Sequence, residues 1–117
     1  MANGTALPIN TDLDEVRDEL VAANEQLKKS LDTMTDPDLA QAAVTEMSEV
    51  LHRIDLVQSL LFTAASDKIG VAAAKVHDAN TALTASLSSI TSVTSLVKSV
   101  TSFLTLVDKL IDLAKVL

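Results

Sequence analysis

The chain has 117 residues, 48% of them apolar, but its only aromatics are Phe62 and Phe103 and it contains no cysteine. That length sets the limit at one domain with a modest core, which must be built from close-packed Ala, Val, Leu and Ile, a composition that suits helices. A formal charge of −7 argues against nucleic acid, since neutralising phosphates takes clustered Lys and Arg, and the missing cysteines exclude disulfides, thiolate metal sites and a cysteine nucleophile.

The charge is unevenly spread. Residues 1–60 carry twelve acids and four bases, whereas residues 61–117 carry four acids and five lysines, so an acidic N-terminal half precedes a nearly neutral C-terminal half. The opening MANGTALPINTD has no basic residue followed by an apolar run, which is unlike a classical signal peptide. It reads as a flexible leader over residues 1–11 ahead of a single helical domain over 12–117, in the cytoplasm or secreted by a non-classical route.

Helix 1 is expected over residues 12–34. Thr11 or Asp12 can cap it, Asp14 and Glu15 suit the exposed amides of its first turn, and Leu13, Val16, Leu20, Ala23, Leu27, Leu31 and Met34 form one stripe. Asp36 and Pro37 then start helix 2, with proline at the first helical position where its missing N–H costs nothing. Its stripe is Ala40, Ala43, Met47, Val50, Ile54, Val57 and Leu61, with Val44 and Leu51 widening it. Gly70 is the preferred C-terminal residue, in the left-handed conformation, with Lys68 against the negative end of the dipole. The competing stop is Asn80 with Thr81.

From Phe62 onward one heptad column runs through Ile69, Val76, Leu83, Ile90, Val97, Leu104 and Ile111, and Leu96, Phe103, Leu110 and Leu117 widen the stripe late in the chain. Residues 71–117 contain neither Gly nor Pro. They read as one helix of about 70 Å at roughly 1.5 Å per residue, or as two meeting near SLSSIT, and the unbroken column favours the first. The fold expected is all-α: an antiparallel bundle or hairpin of three to four helices with a long heptad-patterned C-terminal helix.

The face opposite that stripe carries Thr91, Ser92, Thr94, Ser95, Ser99, Thr101, Ser102 and Thr105, where a soluble helix usually has Lys and Glu. Hydroxyls can bond the carbonyl a turn back, so such a face tolerates water, a second protein or lipid. Chemistry is harder to find. Glu49 and His52 have the E-x-x-H spacing of carboxylate-bridged metal bundles, but no second copy of the motif accompanies them. His77 and Asp78 lack a converging nucleophile. Catalytic, cofactor and metal sites are therefore not expected, and no small-molecule substrate is evident.

The function expected is a non-enzymatic helical protein that self-associates, as oligomer or filament subunit, through the C-terminal apolar surface of Ile90, Val93, Leu96, Val97, Val100, Phe103, Leu104, Val107, Leu110 and Ile111. The alternative is a membrane-active protein, pore-forming or peripheral, that inserts segment 84–107 on assembly.

Overall fold

The computed structural model describes residues 9–117, and over them the chain is all-helical. Four helices are packed against one another: α1 (Thr11–Asp32), α2 (Pro37–Gln58), α3 (Asp67–Leu87) and α4 (Val93–Lys115). The leader expected over residues 1–11 lies, for residues 1–8, outside the described residues.

Each start has a polar cap. Asp36 accepts from the Asp38 amide with Pro37 behind it, as the sequence implies. For α1 the cap is Asn10 rather than Thr11 or Asp12: its Oδ1 accepts from the amides of Asp12 at 3.0 Å and Leu13 at 3.1 Å. Asn10 is buried because its other atoms are also engaged. Its backbone N–H donates to the Leu61 carbonyl at 2.7 Å, and Nδ2 donates to the carbonyls of Thr63 and Ala64.

Two expected boundaries are corrected. Helix 2 ends at Gln58, not near residue 69, and Gly70 lies in the first turn of α3, whose cap is Ser66. Gly70 faces α1, and a Cβ there would meet Asp12 Oδ2 at 3.4 Å, an ordinary contact. The second correction is that residues 71–117 form no single rod. Residues 88–92 break it between α3 and α4. The break is made of hydroxyls: Ser86, Ser88 and Ser89 each donate to the carbonyl three residues back, and Ser92 accepts from the Ser95 amide to start α4. These local bonds compete with helix propagation.

The break also explains why one heptad column misleads. In α3 the buried residues are Ile69, Ala73, Val76, Asn80, Leu83 and Leu87; in α4 they are Leu96, Val100, Phe103, Leu104, Val107, Leu110, Ile111 and Ala114. Ile69, Val76 and Leu83 lead the column into the turn at Ile90; within α4 its Val97 is exposed, whereas Leu104 and Ile111 are buried again as part of a wider stripe with Leu96, Phe103 and Leu110. Phe62, the column's first member, is 61% exposed.

Consecutive helices joined by the short turns at 33–36 and 88–92 pack as hairpins, α1 on α2 and α3 on α4. The hairpins then pack α1 on α3 and α2 on α4. The segment 59–66 crosses the end of the bundle to reach α3, which places α2 and α3 on a diagonal. The core is one cluster running through all four helices, with Phe103, Leu13, Leu20, Leu27, Ile69, Leu96 and Leu110 among its fully buried side chains.

Candidate functional site

Of the ten C-terminal residues expected to form a contact surface, Leu96, Val100, Phe103, Leu104, Val107, Leu110 and Ile111 are buried in the chain's own core. Ile90 is half-buried in the turn, and only Val93 and Val97 are exposed. The broad stripe of α4 is wide because it faces two neighbours at once, α3 and α2. A helix at a bundle corner needs this width; an a/d seam alone would leave one neighbour without apolar partners.

The hydroxyl face is exposed at Thr91, Ser92, Thr94, Ser95, Thr101, Ser102 and Thr105, with Ser99 half-buried. Ser102 Oγ and Thr105 Oγ1 donate to the carbonyls of Lys98 and Thr101 at 2.9 and 2.8 Å, so these two hydroxyls are satisfied along the helix. Segment 84–107 is divided by the 88–92 turn, and among the described residues no helix is long and apolar enough to cross a membrane.

The two histidines lie apart. His52 is exposed on α2; the neighbouring Glu49 pairs instead with Arg53, whose guanidinium also reaches Asp108 on α4 with Nε–Oδ1 at 3.0 Å and Nη2–Oδ2 at 3.1 Å. His77, on α3, pairs through Nδ1 with Glu19 of α1, and Asn80 Nδ2 donates to the other oxygen of the same carboxylate. The hydrogen bond and charge of Glu19 raise the His77 pKa, with Asp78 and Glu15 adding to the effect. This Glu19, His77 and Asn80 group is a polar clasp between α1 and α3. Sequence reading missed it because its members are 58 to 61 positions apart. Among the described residues no group of three or more His, Cys, Asp or Glu could hold a metal.

Two features distinguish the outside of the bundle. A groove of about 520 Å³ lies between α3 and α4, lined by the half-buried Ala72, Leu106 and Leu113, the exposed Val71, the lysines Lys68, Lys75 and Lys109, and Asp67. It continues along the same pair past Ala79, Ala82 and Ser86 on α3 and Ser99, Ser102 and Lys98 on α4. Small side chains here leave room for another helix to approach. Val71 stands 59% exposed over it.

The other feature is on the α1/α2 hairpin. Glu19 faces α3, so Val21, about 200° further round the helix, lies on the flank toward α2. Arg53 faces α4, so Leu51, about 200° back round α2, and Val44, seven residues before it, lie on the flank toward α1. All three are 41–50% exposed, so Val44 and Leu51 do not widen the buried stripe of α2 as the sequence suggests. Around them stand the exposed carboxylates Asp18, Glu25 and Asp55 and one exposed lysine, Lys28, seven residues after Val21 on the same flank, so that carboxylates outnumber it. Since the two hairpins form the two layers of the bundle, this acidic apolar face and the lysine-edged groove look out from opposite sides. Compared with family models, with curated proteins and with solved structures, the chain matches none.

Proposed function

We propose that this protein is a non-enzymatic helical contact protein that self-associates from the outside of its folded bundle, with the α3/α4 groove as the principal contact. The observation that carries this reading is the groove itself. It joins an apolar lining that includes the exposed Val71 to three lysines that enter no ion pair within the described chain. An apolar centre with a charged rim is the anatomy of a protein contact. Self-association through the α4 stripe would require opening the core; association through the groove leaves the core intact. Static light scattering coupled to size exclusion, over a concentration series, tests the reading. More than one subunit is expected, rising with concentration, and a single subunit throughout would refute it.

A further inference from the structure

We infer that the groove is filled by a second copy's α1/α2 outer face, so that copies stack head to tail. This rests on the self-association reading and adds to it which two surfaces meet.

The two surfaces are complementary. The groove presents Val71, Leu106 and Leu113 between Lys75 and Lys109; the opposite side presents Val21, Val44 and Leu51 beside Asp18, Glu25 and Asp55. None of these five charged side chains is in an ion pair within the described chain, so all are free to meet a partner. The apolar spacings agree as well: Leu106 and Leu113 are seven residues apart, as are Val44 and Leu51, roughly 10 Å along a helix in each case. Symmetric pairings are disfavoured. Groove on groove would set lysine against lysine, acidic face on acidic face would set carboxylate against carboxylate, and like charges brought together at an interface are strongly unfavourable. The mixed pairing alone matches both sign and apolar surface.

Its consequence follows from position. The faces lie on opposite sides of the bundle, so a molecule using one still offers the other. Such a contact is heterologous and extends unless its rotation closes a ring.

Mixing tests the assignment. Lys75→Glu with Lys109→Glu spoils the groove but keeps the acidic face; Asp18→Lys, Glu25→Lys and Asp55→Lys together spoil the face but keep the groove. Far-UV circular dichroism confirms that each variant is folded, as expected for substitutions at exposed positions. Each alone is expected to be a single subunit where the wild type assembles, with apparent Kd raised at least about tenfold. An equimolar mixture is expected to assemble again, because the first variant's acidic face still meets the second's lysine-edged groove and the two reversed surfaces are also opposite in sign. Undiminished assembly of either variant, or a mixture that stays monomeric, overturns the pairing while leaving self-association standing; a monomeric wild type removes both. The unmodified chain supplies an independent reading: raising NaCl from about 50 to about 500 mM should lower the assembled mass through screening. A mass that is unchanged or higher counts against the pairing.

Discussion

Asn10 shows how much one polar residue can organise at the residue scale. Its side chain caps α1 and at the same time holds the α2/α3 crossover through two carbonyls. Asn10→Ala should cost about 1–2 kcal/mol from the cap alone, whereas Asn10→Asp keeps the cap and loses only the donors; urea unfolding of the pair separates the two roles. Glu46 works in the other direction. It is buried on α2 with no hydrogen-bond partner among the described residues, and burial, helped by the charge of Glu49 and opposed by Arg53, raises its pKa above the ordinary 4.5. A carboxyl whose pKa is higher in the fold stabilises it below the unfolded value and loses that contribution as pH rises through the folded one. Glu46→Gln should therefore melt higher than wild type near pH 7, with the gap closing as pH falls through the raised folded value and gone below about 4.5. His77 follows the same sign at higher pH. Its pKa is raised above 6.5 by Glu19, so the clasp contributes fully below that value and fades as pH rises through the raised one. The melting difference between wild type and His77→Ala should be larger near pH 6 than near pH 9. None of these roles was legible in the sequence, since each depends on partners brought together by the fold.

At the scale of elements, the stripes of α1 and α2 and the Asp36/Pro37 start could be read directly, because apolar spacing and proline chemistry are local. The C-terminal half could be read only as two alternatives, and the one found, two helices meeting near SLSSIT, is the less favoured. A break made of Ser86, Ser88, Ser89 and Ser92 carries no Gly or Pro, and the heptad column happens to run across it through Ile90. Gly70 misled in the opposite sense: it reads as a helix stop, yet it is a small residue in a helix, placed where α3 approaches Asp12. Gly70→Ala should consequently stabilise the protein by no more than about 1 kcal/mol, the helix-propensity gain, since the added methyl meets Asp12 Oδ2 at ordinary contact distance. Thermal unfolding decides; a clear loss would show that α1 and α3 need glycine there. Phe103 belongs to this scale too. It is the largest fully buried side chain, so Phe103→Ala should cost about 3–5 kcal/mol and lower the melting temperature of the whole bundle.

At the scale of the whole molecule, the charge asymmetry seen in the sequence becomes a spatial one. Acidic helices form one layer, and the lysines of α3 and α4 edge a groove on the other. Seven of the expected contact residues, all on α4, are apolar as identified but internal, because a one-dimensional pattern cannot show how many neighbours a helix has. The wide stripe of α4 serves two neighbouring helices; surfaces left for association must be sought outside it. The measurement that bears most directly on this is sedimentation of wild type and Val71→Asp at matched concentrations. Val71 is exposed in the groove and outside the core, so the account predicts an assembled wild type and a folded, single-subunit variant. A variant that assembles as well as wild type, or a wild type that sediments as one subunit at every concentration, would contradict it.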